Sequence, residues 1–415
     1  MAGDGKHIVI VGGGAAGITV AATLVRKAAG TKLDITVVEP SDTHYYQPAF
    51  TLVGAGAFKF AHTQRPEAKL IPAHVEWIKE RVTGFEPEQN RIKLSSGSTL
   101  AYDYLIVCPG LELDWDKIDG ARDALGKNGV CSNYDPAFAE YTWSCLQNLG
   151  KGATALFTQA PLPFKCPGAP QKIAYLAAHH LQRKGILKDC KLHFLTHAPV
   201  MFGVPFFSKE LVKVAGRWGI GTHFQHNLVA VDWKSNTATF DIVGGDQQGQ
   251  KATMKFDLLH MTPPQSPPAA VKSSPLANAA GFVEVNQNTM QHTRFPNVFS
   301  LGDASSTPNS KTAAAVRKQA PVVVRNLLTL IRGGQLDPGY DGYASCPLTT
   351  AYGKVIMAEF IYGGKVTPTF PLDPRKERWV NWWIKVTGLP FFYWHYMLKG
   401  YDWFFPHNKG YVEPT

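Results

Sequence analysis

Continuous apolar segments alternate with amphipathic ones near the start of the chain. Residues 7–11 (HIVIV) are almost entirely apolar, which is typical of a parallel strand buried on both faces. A helical pattern follows over about 18–28, and residues 34–38 (DITVV) predict a second buried strand. This strand–helix–strand order predicts an α/β fold with a parallel sheet.

Glycines mark the turn between the first strand and its helix. Gly12, Gly14 and Gly17 form a G-x-G-x-x-G pattern, and Glu39 ends the second strand 22 residues after Gly17. In a dinucleotide-binding turn such glycines permit the tight bend, the approach of a pyrophosphate and close helix–strand packing, while the acid accepts hydrogen bonds from a ribose. The predicted nucleotide contacts of this unit are Gly12, Gly14, Ala15, Ala16, Gly17 and Glu39.

A second strand–turn–helix unit lies in the last third of the chain. Residues 297–301 predict a short strand, Gly302 and Asp303 a turn, and the alanine-rich residues 311–320 a helix. A carboxylate at this strand end suits the ribityl hydroxyls of FAD, and the helix N-terminus suits its ring system. A further αβ unit without a ligand is the alternative. The predicted FAD contacts are completed by Gln47, Pro109, Gly110, Gly302, Asp303, Lys311 and Thr312.

The middle of the chain repeats the pattern without its glycines. Strands are predicted at 153–158 and 191–196, but the turn after the first one carries four prolines, one glycine and Cys166. Proline has no N–H to offer a phosphate, so a second dinucleotide cradle is not expected here. The helix predicted over about 171–184 begins just after Cys166 and would favour its thiolate. An inert buried cysteine is the alternative.

Aromatic residues are concentrated near the C-terminus, in residues 378–405. No window there has the 18 or more uninterrupted apolar residues of a membrane-spanning helix. Two short amphipathic helices lying in a membrane interface, separated at Gly388 to Pro390, explain the pattern better, with Lys385 and Lys399 reaching for lipid. A helical pair packed on the protein, or a dimer contact, is the alternative.

Composition narrows the function classes. The 415 residues are 45% apolar, enough for more than one domain, and 42 basic against 32 acidic residues give a net charge of +10. The basic residues form no block, so a membrane surface is favoured over nucleic acid. No hydrophobic signal precedes the first strand, so the chain is expected to face the cytosol or to be a mature form, with its six cysteines free or catalytic rather than structural disulfides. No Cys/His set has metal-site spacing.

Several segments taken together resemble a known family. The chain is similar to flavoproteins with two dinucleotide-binding domains, and within them to the sulfide:quinone oxidoreductases, in the branch that includes the mitochondrial enzymes. The contexts of Cys166 and Cys346 are the most specific part of this resemblance. The matching segments are 37–56, 166–176, 260–268, 297–316 and 340–360.

The resemblance implies a domain organisation. The fold class expected is α/β, with two Rossmann-like nucleotide-binding domains in a glutathione-reductase-like arrangement and C-terminal amphipathic helices for membrane binding. The expected domains are an FAD-binding domain made of 1–112 and 278–340, a second Rossmann-like domain at 113–277 that carries a redox cysteine, and a quinone- and membrane-binding region at 341–415.

The resemblance also implies a reaction. Cys166 and Cys346 would form a redox pair that hydrogen sulfide attacks at Cys346, leaving a persulfide there, while the sulfur of Cys166 faces a non-covalent FAD. A thiol, sulfite or further sulfide would accept the sulfur, and a membrane quinone would accept two electrons. A peripheral protein of a bacterial inner membrane, or of the mitochondrial inner membrane after removal of a presequence, is expected, and a homodimer is a further expectation.

Three further residues have open roles. Cys131 is either an inert thiol or an accessory catalytic cysteine, which in some relatives assists sulfur release or bonds to the flavin. Glu359, in the apolar context MAEFIY, is either an acid/base catalyst or a solvent-facing residue. Lys311 either stabilises negative charge on flavin or quinone or is a surface lysine at a helix start.

Other functions remain as alternatives. A type-II NADH:quinone dehydrogenase would need the glycine-rich turn that the middle of this chain lacks. A flavocytochrome c-type sulfide dehydrogenase would be exported, and a flavin-binding signalling protein would not need Cys166 and Cys346 together.

Overall fold

Two parallel sheets form the framework of the molecule. The computed structural model describes residues 5–28, 30–402, 406 and 409–411. Each sheet has five strands, and the helices that follow the strands cover the faces. The predicted α/β class with two Rossmann-like units is therefore confirmed.

The first sheet unites segments from both ends of the chain. The strand Lys6–Val11 lies at its centre, paired in parallel on each side, and the late strand Val298–Ser300 completes one edge. The helices Ala15–Lys27 and Ala313–Ile331 pack on this sheet. Both predicted flavin motifs thus belong to one sheet, whose strands in spatial order are Val298–Ser300, Tyr104–Val107, Lys6–Val11, Leu33–Val38 and Val75–Ile78.

The second sheet contains the redox-cysteine segment. Its order begins at the two-residue edge strand Val130–Cys131 and places Thr154–Gln159 in the centre. The remaining strands are Leu258–His260, Lys191–Thr196 and Gly221–Phe224, and the associated helices are Ala139–Asn148, Ala169–Arg183 and Pro205–Arg217. The predicted strands and helix of this unit are confirmed to within about two residues.

Antiparallel elements connect and extend the two sheets. The hairpin Ala344–Ala351 and Lys354–Phe360 carries Cys346 and packs against the helix Ala169–Arg183. Two three-stranded sheets are formed by Val82–Glu86, Arg91–Leu94 and Thr99–Ala101, and by His226–Asp232, Thr237–Ile242 and Lys251–Lys255. Short pairs and turns of helix complete the fold: Thr43–Tyr45 with Gln64–Pro66, Glu112–Leu113 with Gln265–Ser266, and the helices Phe50–Val53, Ala121–Ala124 and Ala269–Lys272.

The C-terminal aromatic segment differs from the two separate helices expected. Trp379–Trp383 and Leu389–His395 are α-helical, and a π-helical turn, Ile384–Gly388, joins them into one helical path, called here the tail helix. The π turn precedes Pro390, which has no N–H for a regular helical bond. The expected break at Gly388 to Pro390 is therefore corrected to a π segment.

The tail helix has a buried and an exposed face. Tyr393 and Trp394 are buried in the core of the first domain, whereas the exposed apolar side chains are Trp379, Val380, Trp383 and Phe391. No helix among the described residues has the length and apolarity needed to cross a membrane. Trp403, Phe404 and Phe405, which belong to the predicted aromatic segment, lie outside the described residues.

We expect buried and exposed tryptophans of the tail helix to differ in their contribution to stability. Trp394 is 7% exposed, and its ring lies beside His44 and Tyr46 and under Arg65, whereas Trp379 is 68% exposed. Trp394→Ala should cost about 3–5 kcal/mol because it leaves a cavity. Trp379→Ala, the matched control, should stay within about 0.5 kcal/mol. Thermal unfolding of the two variants compares them, and equal loss of stability would contradict this packing.

Candidate functional site

Cys166 is held in a constrained turn between the two domains. Its φ of 53° lies in the left-handed region, which is unfavourable for a residue with a side chain. Its backbone N–H donates to the carbonyl of Lys311 at 2.8 Å, and its carbonyl accepts from the N–H of Ala169 at 2.8 Å and from the Tyr134 hydroxyl at 3.3 Å. These three bonds fix the turn that the proline-rich sequence predicted.

The hairpin brings Cys346 to the same point. The two cysteines, 180 residues apart in sequence, are free thiols whose sulfurs both lie within hydrogen-bond distance of the same ammonium, that of Lys172, at 3.2 Å and 3.9 Å. The approach depends on Gly168, because a Cβ added there would lie 2.5 Å from the Cys346 sulfur. We call Cys166 and Cys346 the sulfur pair. The structure thus brings together the two cysteines that the sequence predicted as partners.

Two buried lysines face the sulfur pair. Lys172 is 2% exposed, and its Nζ lies 3.2 Å from the Cys166 sulfur and 3.9 Å from the Cys346 sulfur. Lys385, in the π turn of the tail helix, is 3% exposed and donates to the Pro48 carbonyl at 2.8 Å. The expectation that Lys385 reaches for lipid is therefore wrong. The π turn directs this side chain inward.

The lysines make the pair electrostatically unequal. The hydrogen bond from Cys346, with the charges of Lys172 and Lys385, holds the pKa of Cys166 well below that of an ordinary thiol despite its burial. The hydrogen bond to Cys166, together with burial, raises the pKa of Cys346. Because Lys172 is closer to Cys166, this is the sulfur that becomes the thiolate. Burial and the charge of Lys172 lower the pKa of Lys385 to about 7.

The glycine-rich turn has the geometry expected of a nucleotide cradle. Gly12 has φ 102°, and a Cβ there would lie 2.6 Å from the Cys108 carbonyl oxygen. A Cβ on Gly17 would lie 1.8 Å from the Gly12 carbonyl oxygen, so the helix can approach the strand only with glycine at that position. Nothing lies within 4 Å of the Cβ position of Gly14, which caps the helix Ala15–Lys27. The open space in front of a helix N-terminus fits a pyrophosphate.

Glu39 lies against this turn, as predicted. Its carboxylate accepts from the N–H groups of Gly13 at 2.7 Å and Ser41 at 2.8 Å. His44 Nδ1 lies 3.1 Å from the Gly13 carbonyl and 3.2 Å from Glu67, and His44 Nε2 lies 2.6 Å from the Tyr393 hydroxyl. The tail helix is thereby connected to the cofactor turn.

The predicted strand–turn–helix unit around Gly302 and Asp303 lies between the first sheet and the turn that carries Cys166. Burial raises the pKa of Asp303, although Lys311 and Lys165 oppose the effect. Lys311 is buried, donates to the carbonyls of Ser305 at 2.5 Å and Thr307 at 3.2 Å, and has its pKa lowered by burial to about 8. It is therefore not the surface lysine of the alternative interpretation.

The other predicted FAD contacts lie around the same strand ends. Gly302 has φ 72° and donates its N–H to Gln319, and the Thr312 hydroxyl accepts from the Ala315 N–H to cap the helix Ala313–Ile331. Gly110, which follows Pro109, has φ 76° and open space at its Cβ position. Gln47 is exposed. These strand ends therefore bring together glycines with free space at their Cβ positions, a helix N-terminus and a carboxylate. This combination fits a flavin dinucleotide.

The structure does not bring Glu359 to the sulfur pair. Strand alternation places its side chain on the opposite face from Cys346, since Glu359 pairs with Ser345 and Ala358 pairs with Cys346. Its carboxylate accepts from the Tyr343 hydroxyl at 2.6 Å and from the N–H of Thr369 at 2.9 Å. It is also buried, so the solvent-facing alternative does not hold. A catalytic role for Glu359 stays a prediction without geometric support.

Cys131 is also paired elsewhere. It is fully buried, and its side chain hydrogen-bonds to that of Cys145 rather than to either member of the sulfur pair. A catalytic role for Cys131 stays an untested prediction.

Sequence reasoning missed Lys172, although a single lysine on the apolar face of the helix after Cys166 was a usable signal. It could not have found the inward direction of Lys385, which depends on the π turn.

Comparison with known proteins shows the family of this chain. Residues 6–137 match the family model of the pyridine nucleotide-disulphide oxidoreductases. The chain is 45% identical to the mitochondrial sulfide:quinone oxidoreductase of Dictyostelium discoideum, over 96% of this chain and 86% of that protein, and 39% identical to the mitochondrial enzyme of Mus musculus, over 95% and 87%. The structure of the sulfide:quinone oxidoreductase of Aquifex aeolicus shares the fold, with a TM-score of 0.79 at 22% identity over 96% of this chain and 92% of that one. With its paired cysteines, flavin-type cofactor site and near full-length relatives, the chain belongs to the sulfide:quinone oxidoreductase family.

Proposed function

We propose that this protein oxidises hydrogen sulfide at the sulfur pair and passes two electrons through FAD to a membrane quinone. The observation that carries the proposal is that the sulfurs of Cys166 and Cys346 meet at the buried ammonium of Lys172, at 3.2 Å and 3.9 Å. A structural disulfide has no need of such positive charge, whereas a buried thiolate or persulfide requires it.

Cys346 and Cys166 have different roles in the proposed reaction with sulfide. In the oxidised pair, hydrosulfide attacks the sulfur of Cys346, the new S–S bond forms there, and the bond to Cys166 breaks. Cys166 leaves as a thiolate, which the ammonium of Lys172 stabilises at 3.2 Å. A thiol, sulfite or second sulfide then takes the outer sulfur from Cys346. Cys166 and Cys346 are then both thiols, and the two-electron acceptor that returns them to the disulfide, with the quinone as the final acceptor, is the chemistry that bound FAD would supply.

The cofactor is proposed to be FAD held by both nucleotide motifs of the first sheet. Gly12, Gly14 and the N-terminus of the helix Ala15–Lys27 would hold the pyrophosphate, with Glu39 at the ribose. Asp303 would accept hydrogen bonds from the ribityl chain. The hydrogen bond from the Cys166 N–H to the Lys311 carbonyl connects the redox turn directly to this cofactor segment.

The exposed face of the tail helix is proposed to bind the membrane. Trp379, Trp383 and Phe391 are at least half exposed and follow the helix on one side, while the opposite side is buried in the protein. Indole and phenyl rings insert favourably at the headgroup level. A peripheral protein of the mitochondrial inner membrane, or of a bacterial inner membrane, is the proposed localisation, because a quinone substrate resides in the bilayer.

We expect Cys166→Ser and Cys346→Ser each to abolish sulfide oxidation while retaining the flavin, because each variant removes one sulfur but no cofactor contact. Anaerobic flavin bleaching by sulfide, followed by reoxidation with a quinone, measures the reaction. Cys190→Ser, on a half-exposed residue, is the matched control. Near-normal turnover in either variant of the pair would overturn the proposed mechanism.

We expect Lys172→Met to shift the reactivity of Cys166 to higher pH. The lysine helps to hold the pKa of Cys166 low, so its removal raises that pKa, and the thiolate forms only at higher pH. Alkylation of the reduced protein with iodoacetamide across pH, followed at the Cys166 peptide by mass spectrometry, gives the profile. Lys188→Met, on an exposed lysine, should leave the profile unchanged, and an unchanged profile in Lys172→Met would exclude this role.

We expect the triple variant Trp379→Ser, Trp383→Ser, Phe391→Ser to lose liposome binding and reduction of a long-tailed quinone. Each buried aromatic ring contributes up to roughly 1.5–3 kcal/mol, so three losses suffice to release a reversible anchor. Flavin bleaching by sulfide should persist, because the sulfur pair is untouched. Replacement by leucine at the same positions is the matched control. Unchanged co-sedimentation with liposomes would refute the membrane assignment.

A further inference from the structure

A second pair of thiols lies apart from the sulfur pair. Cys131 is on the edge strand Val130–Cys131 of the second sheet, and Cys145 is on the helix Ala139–Asn148. The helix and the strand contact each other, the two cysteines belong to one buried core cluster, and both are free thiols. Two cysteines in contact can be joined by one oxidation step, which an isolated buried cysteine cannot undergo.

One thiol of this second pair lines a cavity and the other does not. Cys145 forms part of the wall of a cavity of about 500 Å³, a size that accommodates small organic ligands. Cys145 is 8% exposed and Cys131 is fully buried behind it. Neither member of the sulfur pair lines this cavity, nor does any residue predicted to contact FAD. The lining residues include Gly129, Tyr141, Cys145, Lys151 and Asp257.

The surroundings favour Cys145 as the reactive thiol. The Cys131 thiol and the Tyr141 hydroxyl hydrogen-bond to its sulfur and lower its pKa, whereas burial raises the pKa of Cys131. An accessible thiol of low pKa backed by a second cysteine is the arrangement of a reactive thiol with its resolving partner. Lys151 and Asp257 place one positive and one negative charge on the wall of the cavity.

We propose that Cys145 is a modification site for low-molecular-weight disulfides that carry carboxylate and ammonium groups, and that Cys131 resolves the adduct. The Cys145 thiolate attacks the disulfide, forming a mixed disulfide and releasing one thiolate. Cys131 then attacks the Cys145 sulfur, and its proton goes to the second leaving thiolate. The two cysteines are oxidised to a bond while the small disulfide is reduced to two thiols.

The bond would connect two parts of the molecule that meet near the flavin domain. It would tie the edge strand of the second sheet to the helix Ala139–Asn148, which contacts the short helix Phe50–Val53. Thr142 of the longer helix lies against Gly54, since a Cβ at that glycine would be 3.1 Å from its methyl group. The sulfur pair does not take part in this modification.

The test uses the full-length flavin-loaded protein, first reduced and then exposed to oxidised glutathione. Peptide mass spectrometry should show a Cys131–Cys145 crosslink and a mass lower by two hydrogen atoms for that peptide pair. Cys131→Ser, and Cys131→Ala if the serine is poorly tolerated, should instead accumulate one glutathione on Cys145. Cys145→Ser should show neither product. Cys108, a buried cysteine of the first domain, is the internal control that should stay free.

The thiol exchange and the assigned ligand class are tested by separate results. The proposal would be overturned if Cys131 and Cys145 stayed unlinked in the wild type. It would also be overturned if, in the Cys131 variants, Cys145 were modified no faster than Cys108. Lys151→Ala should slow the reaction with oxidised glutathione by about threefold, the size expected for an exposed charge, and should not slow that with an uncharged hydroxyethyl disulfide. Equal rates with oxidised glutathione before and after this substitution would overturn the assigned ligand class.

Discussion

The contact between two sulfurs and an ammonium group in a buried space constrains the rest of the structure. Lys172 is nearly inaccessible to water, and a charge in that position is stable only beside an anion or strong acceptors. The nearest such groups are the sulfurs of Cys166 and Cys346. The positive charge and the thiolate therefore depend on each other, and the low pKa of Cys166 follows from the packing of the helix, the hairpin and the proline-rich turn.

The second domain uses a nucleotide-binding framework for a different purpose. The strand Thr154–Gln159 and the helix Ala169–Arg183 have the order and parallel pairing of a dinucleotide unit. The turn between them makes a left-handed bend at Cys166 and anchors to the Lys311 carbonyl of the flavin segment. A turn that in a nucleotide-binding unit would present N–H groups to phosphate here carries a cysteine, which we propose to face the cofactor.

The tail helix connects an exposed aromatic surface, which we propose to bind the membrane, to the sulfur pair within one element. Its outer face exposes aromatic rings, whereas its inner face places Tyr393 against His44 and Lys385 beside the sulfur pair. The π turn allows one helix to carry both the exposed aromatic face and the buried face, because one wider turn changes the direction of the side chains that follow. A lysine whose pKa is about 7 in this position can change charge near neutral pH, close to the thiolate that forms during the reaction.

The sequence by itself determined the α/β class, the glycine-rich turn of the first sheet and the proline-rich turn that stands at the corresponding place in the second. These features are local: glycine spacing, proline content and short apolar segments act over a few residues. The pairing of Cys131 with Cys145, the burial of Lys311 and Glu359, and the inward position of Lys385 were decided only by the tertiary structure. Each depends on which face of a strand or helix meets a distant segment. Successive side chains of a strand point to opposite faces, and one extra residue in a helical turn rotates all the side chains that follow it. Composition and spacing therefore cannot fix these contacts.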